Sequence, residues 1–262
     1  MIRTVKRKSP ITSSGRLLSA LLVMLFWLLL AAVTPAQAAT IDTLFSTGVD
    51  ANGALLTQGL VDLHYRISSV NVPPAVSVWQ EPVPVPAVGP QIAADQNAYV
   101  VFDSMNPWVA NGPASQWLAP SSNTYGDSVL FTYQTTFDLT GLDAASAAIS
   151  GSWAVDDPGW MYLNGKLVAE LPFGWMFQQL YGLQVAPNAP QYTANHDFLL
   201  TSGFLSGVNT LEFLVWNAGG GPTGLRVEIA SATANAAVAE PGTLMLLGSG
   251  LIGLLFYRRH AK

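Results

Sequence analysis

The sequence predicts an all-β sandwich, one domain carried between an N-terminal signal helix and a C-terminal transmembrane helix. Three observations predict it. Apolar residues recur at every second position through the middle of the chain, and Gly, Asn and Pro turns punctuate the runs. Between residues 39 and about 234 no stretch shows the 3.6-residue period of an amphipathic helix.

Four strands are clear. Val129, Phe131, Tyr133, Thr135, Phe137 and Leu139 share one face of a first strand. Ala147, Ile149, Gly151, Trp153 and Val155 share a face of the next, which puts Trp153 in the core. Leu211, Phe213 and Val215 form a third inward row, and Leu225, Val227 and Ile229 a fourth. Shorter strands are expected at 43–47, 60–67, 98–102, 160–163 and 196–200, with turns at Asn52-Gly53, Asp157-Pro158-Gly159, Asn164-Gly165 and 219–222. The proline-rich stretch 72–90 reads as a long extended connection, and the small residues of 231–238 as a flexible stalk.

The two ends have their own chemistry. Arg3, Lys6, Arg7, Lys8 and Arg16 lead into an apolar run over 17–33, and Ala36-Gln37-Ala38 is a small-x-small cleavage site behind Pro35. Residues 1–38 therefore read as a secretory signal peptide, with the mature chain starting at Ala39; the alternative is an uncleaved anchor. At the far end, residues 243–257 are apolar and uncharged, and Arg258, Arg259 and Lys262 follow them. Fifteen residues of helix rise about 22 Å, short of a hydrocarbon core of roughly 30 Å. The basic end places the tail's C-terminus on the cytoplasmic side and the body outside.

Between these ends only Arg66, Lys166 and Arg226 stand against all sixteen acidic residues. A body so acidic repels phosphate backbones, which excludes nucleic acid as a partner. The chain has no cysteine, so an exported domain of this kind must be held by packing, and thiol catalysis and cysteine–zinc sites are excluded.

Ala239-Glu240-Pro241, a short Leu/Gly-rich helix and Arg258-Arg259 together resemble the PEP-CTERM sorting signal of Gram-negative bacteria, over residues 239–262. The usual core is Pro-Glu-Pro, and Ala239 stands where its first proline would be. The resemblance implies recognition by an exosortase after export by the secretion machinery. It also implies transient anchoring in the inner membrane with the body periplasmic, then a place at the cell surface or outside the cell. An ordinary C-terminal anchor is the alternative. Within the body, Trp153-Ala154-Val155-Asp156-Asp157-Pro158-Gly159-Trp160-Met161-Tyr162-Leu163-Asn164-Gly165 and Gly207-Val208-Asn209-Thr210-Leu211 are similar to hairpin and strand motifs of galactose-binding-like jelly rolls. That resemblance implies a jelly-roll β-sandwich over 39–230; sugar binding is common in such folds but not universal.

Candidate chemistry is sparse. Asp156 and Asp157 are adjacent, so a strand would point them to opposite faces, and capping of the Pro158-Gly159 turn explains them. They are also the best candidates for ligands of a structural Ca²⁺. Asp50-Ala51-Asn52-Gly53 starts like a calcium loop but lacks its later acids, and a tight turn explains it better. Trp160 and Tyr162 share a face opposite Met161 and Leu163; with Trp175 they would form a sugar platform if exposed, or cover a sheet edge if not. A glycosidase needs two carboxylates facing each other across a cleft, and no Gly-x-Ser-x-Gly elbow accompanies His64 or His196. The expectation is a non-enzymatic cell-surface or extracellular-matrix protein. The alternative is a carbohydrate-binding module linking the cell to exopolysaccharide.

Overall fold

In the computed structural model, residues 37–70, 96–102, 108–127, 129–171, 191–217 and 220–237 are described, together with Gly248 and Gly250. Strands β1 (Ala38–Thr40), β2 (Val61–Val70), β3 (Gln96–Val101), β4 (Trp117–Ala119) and β5 (Tyr125–Gly126) come first. Then follow β6 (Leu130–Asp138), a 3₁₀ turn (Ala144–Ser146), β7 (Ala148–Asp156), β8 (Gly159–Leu163) and β9 (Lys166–Leu171). The chain closes with β10 (His196–Leu200), β11 (Val208–Trp216), β12 (Gly221–Pro222) and β13 (Gly224–Asn235). The described body is all-β. Both terminal helices of the sequence reading, the 72–90 connection and Trp175 lie outside the described residues, apart from the helical Gly248 and Gly250. Among the described residues no helix is long and apolar enough to cross a membrane.

One ladder carries the fold, in the order β9-β8-β11-β6-β2-β3-β4-β13-β7-β10, with β1 added beside β13 and a separate pair of β5 with β12. The ladder folds over on itself. Trp153 on β7 and Phe213 on β11 are far apart along it, yet their ring centroids are 5.8 Å apart. The corner lies in β2, where the pairing with β3 shifts register between Asp62 and Arg66. The buried Asp62 carboxylate holds that irregular stretch by accepting from the backbone N–H of Gly48 at 2.6 Å, His64 at 2.7 Å and Tyr65 at 3.1 Å.

The inward rows are as the periodicity predicts. Phe131, Tyr133, Phe137, Ile149, Trp153, Val155, Leu211, Phe213, Val215, Leu225 and Val227 form one buried core. A second cluster packs on the outer side of β7 and β13, with Trp108 stacked on Trp117 at 4.4 Å beside Val101, Ala119 and Ala154. The buried Arg226 ties this outer layer down through Ser115, the Ala110 carbonyl and an ion pair with Glu228 at 3.4 Å. β7 and β13 approach closely at Gly151, where a Cβ would come within 2.1 Å of the Glu228 carbonyl oxygen.

Two expectations are corrected, and one strand is added. Residues 43–47 are not a strand; Thr47 bonds crosswise instead, its N–H donating to the Val227 carbonyl at 2.9 Å and its hydroxyl to that of Gln116 at 2.7 Å. The stalk expected over 231–238 is, as far as Asn235, the end of β13. It pairs with both β7 and β1, and Ala232 and Ala234 are small enough to bury. The body therefore extends past residue 230. β9 was not expected, because Lys166–Leu171 is short and poor in strand-forming residues; the Asn164-Gly165 turn delivers it to the edge of β8.

Trp153 is buried where the two halves of the ladder face each other. Its truncation to alanine should cost about 3–5 kcal/mol. Thermal melts of Trp153→Ala should show a fall on the order of 10 °C. A shift within a degree of wild type would contradict this packing.

Candidate functional site

The strands run between two poles. β7 ends at Asp156, β11 at Trp216, and β8 and β13 begin at Gly159 and Gly224; these residues gather at one end, the Asp156 pole. The other end carries the start of β7 and the end of β13, and is the Ala237 pole.

At the Asp156 pole, Asp156 is buried and its Oδ2 accepts from the Trp108 indole N–H at 2.8 Å. Its carbonyl accepts from the Thr223 hydroxyl at 2.7 Å. β7 ends at Asp156, and the Asp157 carboxyl beside it lies close enough for the two groups to act on each other. Burial, and then the Asp157 charge, push Asp156 well above the usual carboxylate range. The Tyr192 hydroxyl lies close enough to feel both, and burial and their charges raise it too. The Asp157 N–H donates to the Trp216 carbonyl at 3.3 Å.

Asn217 follows directly. Its side-chain N–H groups donate to the carbonyls of Gly126 at 2.9 Å, Asp127 at 3.1 Å and Gly221 at 3.3 Å, which ties the segment at 126–127 to the loop after β11. Its Oδ1 is buried with no hydrogen-bond partner. Two carboxyl groups, an unused amide oxygen and several loop carbonyls are hard oxygen donors, the kind that hold Ca²⁺. Among the described residues no group of three or more His, Asp or Glu side chains could hold a metal by itself, so any cation here would depend on Asn217 and backbone oxygens. Asn217 escaped the sequence reading, which looked for acids; its place beside the Gly219-Gly220-Gly221 run was the available signal.

The other candidates are placed as follows. Asp50 caps its own turn, accepting from the N–H of Asn52 at 2.8 Å and of Ala54 at 2.9 Å, as the turn reading requires. Met161 and Leu163 face the core, so Trp160 and Tyr162 do lie on the opposite face, but they are 6 % and 0 % exposed. The open sugar platform is thereby corrected: these rings are part of a covered face. Tyr162 stands opposite Glu212 in the ladder, and burial with the Glu212 and Glu170 charges raises it to about 12. Glu212 itself is pushed up by burial, although Gln134 donates to it at 3.1 Å. Of the signal-cleavage residues, Ala38 and Ala39 are in β1, and Ala36 lies outside the described residues.

Comparison with known proteins bears on the tail. Residues 237–259 match the PEP-CTERM protein-sorting motif, and Ala239, Glu240, Pro241, Arg258 and Arg259 all lie within the match. The chain thus carries a sorting motif and is an exported, surface-directed protein. No curated protein matches the sequence. Among solved structures, a family 35 carbohydrate-binding module from an environmental isolate is similar over 44 % of this chain and 79 % of its own, at 15 % identity and a TM-score of 0.24. A β-glucosidase from Kluyveromyces marxianus in complex with glucose is similar over 43 % of this chain, which spans only 11 % of that enzyme, at 15 % identity and a TM-score of 0.23. A GH31 α-xylosidase from Xanthomonas citri is similar over 76 % of this chain and 18 % of its own, at 15 % identity and a TM-score of 0.21. Likenesses at these scores decide neither fold nor function.

The raised carboxyl of Asp156 has a thermodynamic consequence. The folded state holds this proton more tightly than the unfolded chain, whose Asp titrates near about 3.9. The group's contribution is therefore complete below that pH and is lost as pH rises through the folded value. Asp156→Asn keeps an oxygen for Trp108 and removes the buried charge. With a chelator present, it should flatten the decline in stability above about pH 4. Denaturant melts across pH check this; parallel wild-type and variant curves would contradict it.

Proposed function

We propose that this chain is a non-enzymatic protein of the cell surface or extracellular matrix. An inner-membrane helix over 243–257 would hold it until an exosortase processes it at Ala239-Glu240-Pro241. The observation that carries the reading is the sorting motif over 237–259, attached directly to the end of β13. Export by the secretion machinery precedes this step, with cleavage between Ala38 and Ala39. The body is read as a galactose-binding-like jelly roll, on the motif that spans β7, β8 and their following turn. Catalysis has no support in the candidate acids: a glycosidase needs carboxyl groups about 5–9.5 Å apart across a substrate, whereas Asp156 and Asp157 are neighbours in the chain, with Asp156 buried. Replacing Glu240 and Pro241 by alanine should move the protein from the surface fraction to the envelope at unchanged total amount. Normal surface delivery of this variant would refute sorting through the motif.

A second reading, carbohydrate binding, is favoured by the placement of Asp156, Asp157 and Asn217 at the end opposite the sorting tail. Sugar hydroxyls are good ligands for a Ca²⁺ held by such oxygens. The exposed Tyr125 lies on the β5–β12 pair, whose Gly126 and Gly221 carbonyls bond Asn217, and supplies an aromatic face nearby. Ca²⁺ should raise the melting temperature of the wild type and leave Asp157→Asn unmoved. A glycan array with and without Ca²⁺ then separates the readings. Ca²⁺-dependent signal lost in Asp157→Asn establishes the module, and a blank array on a Ca²⁺-stabilised protein leaves the ion structural.

A further inference from the structure

The end of β13 and the residues up to Ala237 are held at the Ala237 pole. β1 lies along the end of β13, and the part of it that remains after signal cleavage sets Ala39 opposite Ala234 and Thr40 opposite Thr233. The loop after β6 holds the same segment from the other side. The Asp143 N–H donates to the Asn235 carbonyl at 2.8 Å, the Asn235 N–H to the Ser146 hydroxyl at 2.8 Å, and the Ala237 N–H to the Gly141 carbonyl at 2.9 Å. From Ala237 to Thr243, where the apolar segment starts, the chain is six residues long, about 20 Å when fully extended. A headgroup layer takes roughly 5–7 Å of that reach. A domain anchored by residues 243–257 therefore stays close to the lipid, and the end it turns toward the lipid is this pole.

The side chains at this pole suit that neighbour. Val208 pairs with Asp138, and the Leu139 N–H donates to the Gly207 carbonyl at 2.9 Å, so the 203–208 loop stands beside the loop that holds Ala237. Leu205 and Val208 are 54 % and 63 % exposed. Leu205 is not exposed through slackness. Asn209 accepts from its N–H at 2.7 Å and donates to its carbonyl at 2.8 Å, and Asn164 braces Asn209 at 2.8 Å. Asp138 and Asp143 sit in the same loops, and the Thr140 hydroxyl and N–H hold the Asp138 carboxyl below its ordinary value, so this end stays negatively charged.

We propose that the Ala237 pole, through Leu205 and Val208, is a lipid-facing surface that rests on the zwitterionic headgroup region while the chain is anchored. This rests on the anchored reading of residues 243–257. The contact is apolar, since two aspartates repel anionic lipid. It holds the Asp156 pole away from the membrane before the tail is processed.

The chain has no native cysteine, so single cysteines report cleanly. Leu205→Cys, Val208→Cys and Tyr125→Cys, made in the full chain, are labelled with an environment-sensitive fluorophore and reconstituted into phosphatidylcholine vesicles. Tyr125 is as exposed as Leu205, at 54 %, but lies at the other pole. The expected result is iodide quenching several-fold weaker at 205 and 208 than at 125, with blue-shifted emission, at low and high salt alike. Equal quenching at all three positions on protein that floats with the vesicles overturns the proposal alone. Protein that does not float overturns the anchored reading and the proposal with it.

Discussion

The pairing of β13 with β7 is the constraint on which the rest depends. It runs from Gly224 opposite Asp156 to Thr233 opposite Ala148, interrupted only by the bulge between Ile229 and Ser231. β13 has twelve residues, a span of about 40 Å at the rise of an extended strand. One strand thus reaches from the acidic end of the domain to the point where the sorting tail leaves it. On its inner side it offers Leu225 and Val227 to the core. On its outer side Arg226 fastens the Trp108–Trp117 layer. Without that register, Asp156 would not be set beside Thr223, nor would Asn235 be set against the loop that contains Asp143 and Ser146.

A rigid strand between two poles gives the domain a direction. The tail emerges at one end, and the Asp156–Asp157 pair and the unpartnered Asn217 amide oxygen lie at the other. A surface protein that meets a ligand outside the cell gains from this arrangement, because its tether and its contact end do not compete for space. The fold-over at Asp62 serves the same economy. It lets a single ladder bury Trp153 against Phe213 and close a core with no disulfide.

Much of this was legible in the residues. Alternation placed β6, β7, β11 and β13 because each buries a full row of large side chains on one face, a signal that survives without tertiary knowledge. It failed where rows are small or both faces are covered. Ala232 and Ala234 alternate with Ser231, Thr233 and Asn235, a pattern that also reads as a loose linker until β1 is found beside it. Trp160 and Tyr162 fall on the face opposite the core as parity requires, but parity cannot say whether an outer face is covered. Residues 43–47 alternate well enough, yet Thr47 spends its hydrogen bonds on β13 and Gln116, a long-range competition invisible in a local window. The sorting tail was readable because it is a linear signal whose motif, apolar segment and basic end need no folded context.

Two buried carboxyl groups show why the candidate site and the scaffold belong to different categories. Asp62 is enclosed at the ladder's corner, and burial raises it despite three backbone N–H donors. Those donors occupy both of its oxygens, at 2.6 Å on Oδ2 and at 2.7 and 3.1 Å on Oδ1. Its environment is complete, and its task is to hold the bulge. Asp156 accepts from the Trp108 indole, and the neighbouring Asp157 carboxyl adds a like charge beside it. A carboxyl pair in that position persists at neutral pH either by keeping a proton or by sharing a cation, since desolvation and mutual repulsion act together on the ionised form. Asn217, with its N–H groups committed to three carbonyls, has its Oδ1 left over at the same end. The corner at Asp62 is satisfied by backbone donors, whereas burial and the Asp157 charge favour a protonated Asp156 at its pole.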